Sequence, residues 1–198
     1  MGNSEGNCKA NLSDTRVSRS RKAFTQALIE LSREKNAEDI SVSAIAKKAG
    51  YSRNTFYLQY GSYEGFLQAV VDDEISLLRS TSNFPTDIQK DFPFSLLLST
   101  NEQIYSRREL YRLILSTRSP INMASYYQER MLQVYTDRFV DSPAEIERQF
   151  FLHMFYSMTW SGVQFWANQG FQWSALKYTE EFLRYSKLDI FRDKSHKF

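Results

Sequence analysis

Cysteine is almost absent: of 198 residues, only Cys8 is one. A lone cysteine excludes an intrachain disulfide, a CxxC motif and a zinc site built from four cysteines, and it fits a reducing compartment. Histidine is nearly as scarce. His153 is the only one outside the C-terminal tail, so a metal site or a Ser-His-Asp triad would have to form without a second imidazole. A packed or interface histidine fits better. Long apolar runs are missing as well. Nothing approaches the uninterrupted stretch of about 18 residues that could cross a bilayer. Met1 to Leu12 also lacks the apolar core of a signal peptide. A soluble, cytoplasmic protein without a membrane partner is the expectation. Met1-Gly2 opens like an acylation signal, but Gly6 stands where Ser or Thr is required. GxGxxG, Walker and GxSxG motifs are also absent, which points away from an enzyme and implies no cofactor and no metal.

What is present is helical patterning and an uneven charge. Hydrophobic residues make up 42% of the chain, ample for a core. The formal net charge of +2 says little by itself, but Arg16 to Leu67 holds nine basic residues against five acidic ones, leaving the remainder slightly acidic. Clustered basic groups are the electrostatic footprint of nucleic-acid binding.

Residues 1–19, rich in Asn, Ser, Gly and Lys, read as a disordered arm with a basic end. From about Ser20 to Lys35, Phe24, Ala27, Leu28 and Leu31 form the i, i+3, i+4, i+7 stripe of an amphipathic helix, with Asn36 as a left-handed stop. Ser41 then reads as an N-cap, with Ile40 and Ile45 as a hydrophobic staple, for a helix running to Ala49. Gly50 fits a positive-φ terminus, Tyr51 would insert into the core, and Ser52 caps a third helix over roughly Arg53 to Tyr60. Two short helices joined by a tight glycine turn make a helix-turn-helix.

A helix lying in the major groove must present side chains to base edges while its opposite face packs on the domain. Phe56 and Tyr60, four residues apart, would face inward and leave Arg53, Asn54, Thr55, Tyr57 and Leu58 outward. Arg suits guanine and Asn suits adenine in that groove. Ser41 and Ser43 can bring hydroxyls and free amides to phosphate, and Thr55 and Tyr57 can donate from the third helix, setting register rather than sequence preference.

The stretch from Ile40 through Tyr57 (ISVSAIAKKAGYSRNTFY), followed by Tyr60 and Glu64, closely resembles the signature of the TetR/AcrR family of transcriptional regulators. The resemblance covers about residues 20–70. It implies a homodimer whose two recognition helices read a near-palindromic double-stranded operator, with Arg53, Asn54, Thr55 and Tyr57 at the DNA. Tyr63 stands where the family usually carries the phosphate-contacting lysine, after a Gly61-Ser62 loop, and so joins the candidate DNA residues as a replacement of different chemistry.

A fourth helix starting at Ser62, with Glu64 in its first turn, carries Phe66, Leu67, Val70, Val71, Ile75 and Leu78 and links to a second domain. Beyond Pro85 nothing alternates with period two and no internal repeat occurs; helical spacing recurs over about 93–117, 120–140, 143–169 and 174–190. Ser142-Pro143-Ala144-Glu145 combines a capping box with proline at the first helical position. The fold class expected is therefore all-α, about nine helices in the TetR manner. Residues 20–65 are the helix-turn-helix domain and 66–198 a regulatory and dimerisation domain.

In the helix from Ser142, Ile146, Phe150, Met154, Met158 and Phe165 mark one face, and Phe151, Phe155, Gly162 and Trp166 a neighbouring one. So wide an apolar surface needs cover from two directions, a core and a partner subunit. Ser157, Ser161 and Gly162 would admit another helix closely. The resemblance implies the same, a four-helix interface from the last two helices, and Phe165-Trp166, Gly170 and Ser174 resemble the C-terminal signature of one TetR subgroup. Phe151, Gly162, Trp166 and Phe182 are the candidate interface residues. Tyr105, Tyr111, Tyr126, Tyr127, Phe155 and Trp160 are candidates to line a pocket for a small apolar effector, although most aromatics at such spacing are simply core. An enclosed cavity would favour an effector-released repressor. A solid core with an exposed apolar patch would favour a regulator controlled by a protein partner.

Overall fold

The computed structural model describes residues 5–81, 94–116, 121–137 and 145–186. Over these it is all-helical, with no strand among the described residues. The helices are α1 (Glu5–Ser32), α2 (Val42–Ala49), α3 (Arg53–Tyr60), α4 (Tyr63–Thr81), α5 (Phe94–Ser106), α6 (Arg108–Ile114), α7 (Met123–Asp137), α8 (Glu145–Asn168) and α9 (Ala175–Ser186). No described helix is long and apolar enough to cross a membrane. The chain forms two compact units, residues 1–70 with 116–122, and 71–115 with 123–198. The division falls inside α4, after Val70, rather than at its start.

In the first unit the expected stripe is buried: Phe24 and Leu28 are fully enclosed, as are Ile45, Phe56, Phe66 and Leu67. The aromatic rings interlock edge-on and tilted. Phe24 lies 5.3 Å from Phe56, Phe56 5.0 Å from Phe66, and Tyr60 4.8 Å from Phe66. Offset and edge-to-face pairs of this kind add about 0.5–1.5 kcal/mol each beyond area burial. Gln59 of α3 donates to Ser20 of α1, whose own hydroxyl donates to Val17 carbonyl, tying the two helices through a buried serine.

Three expectations are corrected here. The arm expected to be disordered over 1–19 is helical from Glu5, because extending a formed helix adds one bond per residue fixed and needs no apolar partner. Asn36 is not left-handed: Phe171 is the only non-glycine residue with positive φ among those described. α1 ends through the amides of Glu34 and Lys35 bonding to Leu31 carbonyl, and a single 3-10 turn over Ala37–Asp39 follows. Tyr51 touches Phe24, at 5.3 Å between rings, yet stays 37% exposed.

The second unit is held by long-range contacts. Trp166 of α8 is buried between two parallel rings, Tyr178 of α9 at 4.3 Å and Tyr105 of α5 at 5.6 Å, and donates its indole N–H to Trp173 carbonyl. Asn101 of α5 donates to Thr179 of α9, both buried. Glu74 of α4 is wholly buried and accepts from Arg107, which sits where the helix expected over 93–117 breaks into α5 and α6. Neither glycine nor proline marks that break. The tertiary ion pair accompanies it, and spacing cannot reveal it. Burial, set against the attraction of Arg107, raises the Glu74 carboxyl above the usual carboxylate range. The capping box at Ser142 to Glu145 lies outside the described residues except for Glu145 itself, where α8 begins.

Candidate nucleic-acid interface and cavity

The helix-turn-helix is built by its punctuation. Ser41, in extended backbone, accepts from Ala44 N–H at 3.2 Å and opens α2. Gly50 adopts φ +74°, and the amides of Gly50 and Tyr51 return to the carbonyls of Lys47 and Ala46, a Schellman closure that only a residue without Cβ adopts freely. Ser52 then accepts from Thr55 N–H at 3.0 Å and opens α3 after a minimal turn. Two caps and one left-handed glycine thus fix where α3 emerges.

Of the sequence-predicted residues, the structure brings Ser41 and Ser43 to the exposed start of α2, and Arg53, Asn54 and Tyr57 to the exposed side of α3. Thr55 is half-buried, and its hydroxyl lies 2.9 Å from that of Ser52, so it is engaged by the cap. Leu58, 79% exposed, projects from the same helix. Phe56 is sealed and Tyr60 half-buried behind them, as the four-residue spacing requires. Arg16, Arg19, Lys22, Lys47 and Arg53 are exposed in this unit, while Lys48 pairs with Glu30 at 3.2 Å. A hydrogen bond from Gln26 and then Lys48 hold the Glu30 carboxyl below its ordinary value. Tyr63 is half-buried, and burial pushes its phenol up to about 12. It therefore keeps its proton and offers a neutral donor where a lysine would offer a charge.

In the second unit, α4, α5, α7 and α8 line a partly open cavity of about 60 Å³. Its wall includes Leu78, Leu97, Ile104, Met131, Val163 and, from the predicted set, Tyr127, Phe155 and Trp160. Tyr105, Tyr111 and Tyr126 are not on it. Tyr105 stacks on Trp166, and Tyr111 is buried with its hydroxyl 3.2 Å from that of Tyr127. Burial raises the Tyr111 phenol well above its ordinary value. Tyr126 donates to Asp72, which also receives Arg130. Helical spacing places an aromatic on a helix but does not say which neighbour its face meets. The wall residues Thr100, Asn101 and Thr159 gave no signal, since short polar residues in helices are commonplace.

The predicted interface set is also rearranged. Trp166 is 1% exposed, in the core of its own chain, and a side chain at Gly162 would collide with Tyr178 and press on Phe182, so α8 packs on α9 within the chain there. Phe182 is half-buried, and the Phe151 side chain lies outside the described residues. Phe150, Met154 and Phe165 are instead 68%, 54% and 55% exposed along one stripe of α8. His153, beside them, is exposed too.

Residues 25–70 match the family model of bacterial regulatory proteins, tetR family. No curated protein sequence matches the chain. Among solved structures, the fatty acid degradation regulator FadR from Bacillus halodurans superposes with a TM-score of 0.62 at 15% identity, over 90% of this chain and 97% of that one. NalD, the secondary repressor of the MexAB-OprM multidrug efflux pump in Pseudomonas aeruginosa, gives 0.60 at 14% identity, over 84% and 94%. A TetR transcriptional regulator from Streptococcus agalactiae 2603V gives 0.54 at 20%, over 88% and 97%. At such identities these structures speak for the fold, and the sequence match speaks for the helix-turn-helix that α2 and α3 form. Residues 25–70 thus resemble the helix-turn-helix segment of the tetR family, and the chain as a whole shares its fold with these structures.

Proposed function

We propose that this protein binds a near-palindromic operator as a homodimer and is released from it by a small effector held in the second unit. The observation that carries the DNA-binding part is the two-sided character of α3. One side is locked by Phe56 into an aromatic core, while Arg53, Asn54, Tyr57 and Leu58 stand exposed on a capped helix. Arg53 and Asn54 are assigned to base edges, and Tyr57 to phosphate with Ser41, Ser43 and Thr55. Tyr63 serves as a neutral phosphate donor. The stripe Phe150, Met154 and Phe165 supports dimerisation through α8, since exposed apolar surface of this kind marks an interaction face, and a second copy covers it by two-fold symmetry.

Anisotropy titration on the DNA flanking the protein's own gene, with salt varied from about 50 to 200 mM, tests the reading. Arg53→Ala should cost ~1–3 kcal/mol and relax base preference, whereas Tyr57→Phe should weaken all sequences about equally. Equal behaviour of the two variants would refute the division of roles. Weak binding indifferent to Arg53, or a monomer in sedimentation, would instead favour a protein partner on the α8 stripe.

A further inference from the structure

A lone exposed leucine needs no explanation, because single apolar side chains are common on protein surfaces. Leu58 differs in its position. At 79% it is the most exposed large apolar side chain among the described residues, and it stands on α3 one turn beyond Asn54 and next to Tyr57. Residues four apart on a helix are neighbours on one face. The side of α3 assigned above to base edges therefore continues from a polar first turn, with Arg53 and Asn54, into an apolar second one.

The polar alternative in that second turn is withdrawn. Gln59 would suit adenine if it faced outward, but its amide nitrogen donates to Ser20 of α1 at 2.5 Å and its carboxamide oxygen is buried. Ser20 is itself buried and gives its own proton to Val17 carbonyl at 2.9 Å, so it is left as an acceptor that holds the amide nitrogen. Thr55 is engaged by the cap, hydroxyl to hydroxyl with Ser52 at 2.9 Å. Beyond Tyr57, Leu58 is the one exposed side chain of α3.

An isobutyl group can neither donate nor accept. Set against the amine of adenine or cytosine, or O6 of guanine, it desolvates a polar group without pairing it, and that costs free energy. Among the four bases only thymine carries an apolar group on its major-groove edge, the C5-methyl. We infer that Leu58 reads a thymine in each operator half-site through that methyl, within about two base pairs of the base that Asn54 reads. The spacing follows from the separation of side chains four apart, about 5–6 Å, against a rise of about 3.4 Å per base pair. This rests on the DNA-binding reading above and adds a base identity to it.

The test uses the full chain and the shortest duplex from the DNA flanking the protein's own gene that binds saturably in anisotropy. Deoxyuridine replaces its thymidines one position at a time, symmetrically in the two half-sites, which removes a methyl and keeps every hydrogen-bonding group. One position should respond, with affinity falling roughly fourfold per methyl and roughly fifteenfold for the symmetric pair. In Leu58→Ala the thymidine and deoxyuridine duplexes should bind equally. Leucine and alanine are both strong helix formers and the side chain is exposed, so α3 stays intact in this variant. The scan on the native chain stands independently of it. If no thymidine responds while binding remains saturable and dependent on Arg53, the inference falls and the DNA-binding reading stands. A response that persists in Leu58→Ala assigns the methyl to another side chain and overturns the role of Leu58. A responding thymidine more than about two base pairs from the position whose preference Asn54→Ala relaxes overturns the shared face. Absence of saturable binding to any such duplex overturns the inference together with the reading on which it rests.

Discussion

The two units of this chain are stabilised in different ways. In the DNA-binding unit the decisive features are local: Ser41 and Ser52 cap the helices three residues ahead of the amides they satisfy, and Gly50 turns the chain between them. In the second unit the decisive contacts join residues far apart in sequence, as in Asn101 with Thr179, Arg107 with Glu74 and Tyr105 with Trp166. Local devices place a helix to within a residue, as a recognition helix needs. Distributed contacts leave room for a cavity whose walls come from four helices.

The largest expected effect separates two neighbours on α8. Trp166→Ala should cost ~3–5 kcal/mol in urea unfolding, as for any large aromatic removed from a core. Phe165→Ala, one residue away and 55% exposed, should leave the unfolding of the chain nearly unchanged and instead weaken self-association in sedimentation. Equal losses of stability would erase the distinction between core and outer face drawn here.

Gly50→Ala comes next. At φ +74° a side chain is strained even though open space surrounds it, so ~1–2 kcal/mol should be lost in thermal or urea unfolding. Ser52→Ala should cost ~1 kcal/mol, with operator affinity falling further than stability because the cap orients Arg53. If neither substitution matters, the first unit is not governed by its punctuation.

The finest test is a slope. Glu74 is raised by burial in the folded state, so its protonated form favours folding. The stability it contributes is fully present below its unfolded value, near 4.3, and is lost as pH rises through the higher folded value. Glu74→Gln should remove that part of the pH dependence of unfolding, and an unchanged slope would show that the carboxyl is not desolvated as the second unit requires.

The contrast between the units also governs what could be read in advance. Ser41, Gly50, Ser52 and the inward pair Phe56 and Tyr60 were legible because capping, positive φ and helical periodicity act over three or four residues. Arg53, Asn54 and Tyr57 followed as the outward remainder of the same short helix. The second unit gave up its helices but not their faces. Trp166 and Gly162 looked like an interface and turned out to be packed against α9, while Phe165 and Phe150 are the exposed pair. Apolar positions cover α8 so broadly that periodicity has no preferred side.

By itself, then, the sequence determined the all-α class, the helix-turn-helix and the candidate DNA-contacting side of α3, because each depends on backbone hydrogen bonds and side chains a few residues apart. Only the tertiary structure decided that α5 and α6 part at Arg107, and that Thr100, Asn101 and Thr159 share a small apolar cavity with Leu78. Those outcomes depend on which helix faces meet, and that is settled by packing among residues up to 78 positions apart, a range over which no local pattern carries information.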